Sequence, residues 1–191
     1  MEVDFTIELG REDPVLDFPW TDPDGRLTYL DLKRQPEALA LVSEAQEFSE
    51  LGHLLRNLNS TSSLLESAKC DAWSTRALTA EEQIFGATIK FASYVDLIFT
   101  TAEHRVSFAL HEYFAKQLTA LLHRAPEIPS SVEVCVRRCY FHSAVDPTEG
   151  FYFTVYVNGF GDDEARARQN WGIALRLAGN AMLQLSAAGL T

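Results

Sequence analysis

The sequence predicts an α+β fold: a mainly antiparallel sheet of about six or seven strands with three long amphipathic helices packed on one face, a two-layer sandwich. Three observations predict it. Residues 3–9 alternate apolar and polar side chains with the period of two that marks a half-buried strand. Three longer stretches carry apolar residues three or four apart, the spacing of a helix buried along one stripe. Strand-like segments separated by turn formers precede each helical stretch.

In the first segment Val3, Phe5, Ile7 and Leu9 share one side and Glu2, Asp4, Thr6 and Glu8 the other, so this strand has one wet face. After the breakers Gly10 to Pro14, the turn formers Pro23, Asp24 and Gly25 predict a hairpin between strands near 15–21 and 26–32, with Gly25 at positive φ. Pro36 suits the first turn of a helix, where its missing N–H costs nothing. Leu41, Ala45, Phe48, Leu55 and Leu58 carry that helix to about residue 58.

Residues 64–75 suit either a strand with Lys69, Asp71 and Trp73 on one face or an extra helical turn followed by a strand; a strand from about 67 is preferred. Thr79 with Glu82 matches a capping box and predicts a short helix from 80 to Gly86. Residues 90–99 alternate again through Phe91, Val95, Leu97 and Phe99. A second capping box, Thr100 with Glu103, opens a helix that turns Val106, Leu110, Phe114, Leu118 and Leu121 inward and ends before Pro126.

Segments 132–141 and 151–159, rich in Val, Tyr and Phe, form another hairpin across Asp146, Pro147 and Gly150. Asp162, Asp163 and Glu164 then suit the positive end of a helix dipole, and Trp171, Ala174, Ala178, Met182 and Leu185 form a stripe to about residue 187. Strands followed by a helix thus recur over 1–58, 64–123 and 131–187, which permits a strand-strand-helix pseudo-repeat without residue-by-residue identity. At 191 residues and 47% hydrophobic, the chain is read as a single α+β domain over 1–191.

The net charge of −11 is concentrated at one end. The first fifty residues hold thirteen Asp or Glu against four Lys or Arg, and the remainder fourteen against twelve. No basic run or basic helix face is present, so nucleic acid and anionic membranes are disfavoured as partners. No apolar run is long enough to span a membrane, and the N-terminus lacks the features of a signal peptide. Three widely spaced cysteines, Cys70, Cys135 and Cys139, suit free thiols in a reducing compartment, and the expected location is the cytoplasm.

Motifs that carry chemistry are absent. Cys135 and Cys139 on a strand lie roughly 13 Å apart, too far to share one zinc ion, although Arg137 between them could activate a thiol. His104 and His111 stand two turns apart on a helix and do not chelate one ion alone, while His53, His123 and His142 are scattered. Asp22, Asp24 and Gly25 lack the flanking ligands of a calcium loop. There is no phosphate loop, nucleophile elbow or dinucleotide fingerprint. The expectation is no metal, no cofactor and no assigned catalytic residue.

What remains is the sheet face away from the helices. Candidate ligand- or partner-binding residues are Lys69, Asp71, Trp73, Tyr94, Asp96, Arg138, Tyr140, Tyr152 and Tyr156, with the even positions of the last hairpin taken to share that face. The same composition suits an ordinary solvated sheet. The leading expectation is a non-catalytic binding or interaction protein of the acidic chaperone, immunity or adaptor kind, using its acidic N-terminal region or this face. A protein partner or a second copy of the chain is favoured over a small molecule. The alternatives are a small-molecule-binding domain or enzyme with a polar pocket between sheet and helices, and an oligomeric structural subunit.

Overall fold

A computed structural model describes residues 1–80, 82, 86–143 and 146–189. Its strands are β1 (Glu2–Glu8), β2 (Val15–Phe18), β3 (Leu65–Thr75), β4 (Ile89–Phe99), β5 (Ser130–Phe141) and β6 (Thr148–Gly161). Its α-helices are α1 (Ser43–Glu47), α2 (Ser49–Leu58), α3 (Ala102–Arg105), α4 (Phe108–Leu122) and α5 (Glu164–Ala188), with a 3-10 helix over Pro36–Leu41. The six strands form one sheet in the order β1-β5-β6-β4-β3, and β2 continues the β1 edge alongside β5.

This sheet is mixed, which corrects the mainly antiparallel expectation. β5–β6, β6–β4 and β4–β3 are antiparallel, but β1 and β2 both run parallel to β5. The predicted hairpin over 15–32 survives only as a tip, with one bridge between Thr21 and Thr28 and Gly25 at φ 70°. Two causes are visible. Pro19 has no N–H for a ladder. Leu16 and Phe18 instead bury themselves opposite Cys139 and Phe141, which lengthens the sheet edge beside β5. The strand-strand-helix pattern therefore holds for β3-β4-α4 and β5-β6-α5 and fails for the first unit.

Side chains on one face of β1, β3, β4, β5 and β6, among them Phe91, Leu97, Val134, Phe153 and Val155, join the buried stripes of α2, α4 and α5 in a cluster that runs from Leu32 to Met182. Trp171 anchors it from α5, with its indole N–H donating to Ser93 at 2.8 Å and its ring packed on Phe91 and Phe48. Helix and sheet approach closely here because β6 carries glycine. A Cβ on Gly159 would lie 2.1 Å from the Trp171 nitrogen and 2.3 Å from the Ala167 carbonyl oxygen.

Helix bounds moved where packing overrode periodicity. The single helix expected over 36–58 is broken at Val42 and Phe48, both extended, and the Phe48 ring seats edge-on against Phe91 and Trp171. The helix expected from Thr100 is split into α3 and α4, and α4 starts at Phe108, capped by the Ser107 hydroxyl, which leaves Val106 exposed in the break. Residues 65–75 are strand throughout, with a bulge between Ser67 and Lys69. Thr79 and Glu82 make both capping-box hydrogen bonds, at 2.9 and 3.3 Å. The rest of the helix expected there falls largely on 81 and 83–85, outside the described residues, as do 144 and 145 of the last hairpin's connection. The final helix, capped by Asp163, ends at Ala188. No described helix is long and apolar enough to cross a membrane.

Candidate functional site

Side chains on the other face of the sheet point away from the helices. At one end of this face Leu16, Phe18, Ala68, Ile98, Cys139, Phe141 and Tyr152 form a second apolar cluster, against which Trp20 and Tyr29 of the following loop pack. Arg105 lies over the Phe18 and Phe141 rings and pairs with the buried Glu66 at 2.9 Å. That end is closed. Among the described residues, α2, α4 and α5 contribute nothing to this second cluster.

Beyond the closed end, two cross-strand rows remain. Strand register aligns Lys69, Asp96, Thr154, Cys135 and Thr6 in the first and Asp71, Tyr94, Tyr156, Glu133 and Asp4 in the second. Trp73 adjoins the second row, with ring centroids 6.4 Å from Trp73 to Tyr94 and 6.2 Å from Tyr94 to Tyr156. These rings make an aromatic strip across β3, β4 and β6. Trp73 is 39% exposed, the Tyr rings are half-buried, and carboxylates stand at both ends of the strip.

Asp96 and Thr154 of the first row belong to a buried polar network. Thr154 donates to Asp96 at 2.6 Å, Arg137 donates to Thr154 at 2.8 Å and to the Tyr156 hydroxyl at 3.2 Å, and its Nε donates to Glu8 at 2.7 Å. Burial holds the Asp96 carboxyl up at about 6, against the pull of Thr154, Lys69 and Arg137. Burial and the Asp96 charge together raise the Tyr94 phenol. The network fixes the sheet surface beneath the aromatic strip and leaves that strip, with Lys69 and Asp71, facing outward.

Of the residues expected here, Lys69, Asp71, Trp73, Tyr94, Asp96, Tyr152 and Tyr156 share the face. Tyr152 is buried in the apolar cluster, and burial pushes its phenol up to about 12. Arg138 and Tyr140 are corrections: they lie on the opposite side of the sheet, Arg138 paired across strands with Phe151 and donating to the Gly10 carbonyl. The antiparallel register sets every even residue of β6 opposite an odd residue of β5, such as Tyr152 opposite Arg137. Counting both strands by the same parity therefore selected the wrong arginine. Thr154 and Glu8 lie on the face as the alternation of their strands predicts, whereas Arg137 and Glu133 were missed as members of it, and the same register would have located them.

The thiols are quiet. Burial pushes Cys70, Cys135 and Cys139 each up to about 12, and the Arg137 charge does not reverse this at Cys135. Glu8, Glu133 and Cys135 bring one ligand atom each within 4.8 Å of one another. Arg137 already supplies the positive charge at Glu8, and a protonated thiol is a poor ligand, so the trio suits an ion pair better than a metal. His111 is fully buried among Phe99, Phe151 and Phe153 and does not face this site.

The layer between sheet and helices is filled by core side chains. A cavity of about 730 Å³ instead flanks the outer edge of β3, lined by the 15–32 segment, Leu41 to Glu44 and residues 67–71. No family model, curated protein or solved structure matches the chain. Function therefore rests on the chemistry of the site itself.

Proposed function

We propose that the chain is a non-catalytic binding protein that recognises a basic segment of a protein partner on the uncovered sheet face. The observation that carries this reading is the strip Trp73, Tyr94 and Tyr156, flanked by Asp71, Glu133 and Asp4. Aromatic faces attract lysine and arginine head groups, and Trp, Tyr and Arg are the side chains on which binding energy concentrates at interfaces. The acidic surplus, −11 for the chain, steers a basic partner toward the surface and repels a second copy. The rings rest on a hydrogen-bonded network in which the Tyr156 hydroxyl is held by Arg137, so less ordering is needed on binding. Three unpaired thiols support a reducing, cytoplasmic location.

A random-peptide display library, panned on the chain and counter-panned on a Trp73→Ala/Tyr156→Ala variant, tests the reading. The expected result is enrichment of Lys and Arg among peptides that bind the chain, lose binding to the variant and weaken at raised salt. Recovery of uncharged or acidic peptides, or equal binding by the variant, contradicts it.

A further inference from the structure

An edge strand exposes a row of unpaired backbone groups unless the fold covers them. Along β3 that covering is nearly complete at one end and stops abruptly. Lys33 donates to the Ser63 and Leu65 carbonyls at 2.8 Å, Asn59 accepts from the Ser67 N–H at 3.1 Å, and the Trp20 indole donates to the Ala68 carbonyl. In an antiparallel pair the residues facing the partner strand alternate with those facing away. Ala68, bonded to Trp20, and Ala72, whose N–H is held by the Asp71 carboxylate at 2.7 Å, place the outward set at even positions beyond the bulge. Cys70, Ala72 and Ser74 therefore present their backbone groups outward. Among the described residues, neither group of Cys70 or Ser74 takes a hydrogen bond on that side.

The cavity of about 730 Å³ opens onto this same stretch through Lys69, Cys70 and Asp71. Its walls are apolar on the helix side and acidic overall. Leu41 is 73% exposed and Leu27 64% exposed, which is unusual for leucine, and the lining carboxylates Asp17, Asp22, Glu44 and Asp71 outnumber Lys69.

We infer that an extended segment of the basic partner adds to the sheet as a strand along the outer edge of β3 at Cys70 to Ser74. This deepens, and rests on, the reading of the uncovered face as a basic-partner site. Strand addition takes affinity from main-chain hydrogen bonds and specificity from alternate side chains. On this edge one set of side chains meets Leu41 and Val42, and the other meets Asp71 and Trp73 on the uncovered face. The segment that fits alternates apolar and basic residues. Pairing of two copies through β3 would bring the acidic walls of two chains of charge −11 together, so a partner of opposite charge is the occupant.

The probe is an eight-residue peptide alternating lysine and valine, titrated into the intact chain while amide hydrogen exchange is followed by NMR. Strand addition slows exchange of the Cys70 and Ser74 amides roughly tenfold or more at saturation. In a Ser74→Pro variant, which loses one edge donor at a position where an edge strand tolerates proline, affinity falls roughly tenfold. A peptide that perturbs Trp73 and Tyr156 but leaves both amides exchanging freely overturns strand addition and leaves the face reading intact. A peptide that does not bind overturns both. A chain that is dimeric without peptide, with the two amides already protected, overturns the inference in favour of self-pairing.

Discussion

Thr154 donates its hydroxyl to the Asp96 carboxylate at 2.6 Å, and both side chains are buried on the sheet face opposite α2, α4 and α5. A buried carboxyl prefers its neutral form, and burial holds this one at about 6 instead of the ordinary 3.8. Between those values the folded chain binds more protons than the unfolded chain, so this group's contribution to stability falls as pH rises through the window.

Asp96→Asn removes that contribution while the amide oxygen still accepts from Thr154. Chemical denaturation from pH 4 to pH 7 is expected to show the variant gaining on the parent by up to about 3 kcal/mol, because each pH unit between 3.8 and about 6 costs the parent about 1.36 kcal/mol. A constant difference across the range would mean that Asp96 is ionised in the fold without cost.

His111 acts in the opposite direction. Burial lowers its imidazole from 6.5 to about 4, partly offset by the Ser107 carbonyl at 2.8 Å from Nδ1. The folded chain binds fewer protons than the unfolded chain in that interval, so stability is complete above 6.5 and is lost as pH falls toward 4. His111→Phe should gain on the parent by up to roughly 3 kcal/mol between pH 7 and pH 4 in the same denaturation assay, whatever its constant packing cost. Because the Asp96 and His111 slopes oppose, the parent's own profile conceals both, and the single variants separate them.

Gly159→Ala tests the seat of α5. The added Cβ would meet backbone on two sides, at 2.1 and 2.3 Å, where no flexible side chain can yield. A loss of roughly 3 kcal/mol or more is expected in thermal or chemical unfolding, at the upper end of overpacking costs. Unchanged stability would show that the helix rides higher on the sheet than these distances allow.

Most of the elements were legible in the sequence because each carries an apolar stripe that packs into the core: Phe91, Val95, Leu97 and Phe99 on β4, alternate residues of the β5–β6 hairpin, and the Trp171 stripe of α5. Partner choice was not, since it depends on surfaces far away in sequence. Leu16 and Phe18 gain more by joining Cys139 and Phe141 than by pairing with 26–32, and the parallel edge follows. The break at Phe48 is likewise decided by Phe91 and Trp171, 43 and 123 residues downstream in the numbering. At the site, alternation located Lys69, Asp71 and Trp73 on one face. Register, which alternation within a single strand does not contain, decided that Arg137 and not Arg138 joins them.

Backbone amide NMR tests most directly whether the aromatic and acidic strip binds basic polypeptide. Titration with the lysine-valine peptide should move the resonances of Trp73, Tyr94 and Tyr156 together, with affinity falling roughly tenfold or more in Trp73→Ala. Saturable binding whose largest shifts lie on α2, α4 or α5, with Trp73→Ala indistinguishable from the parent, would contradict it.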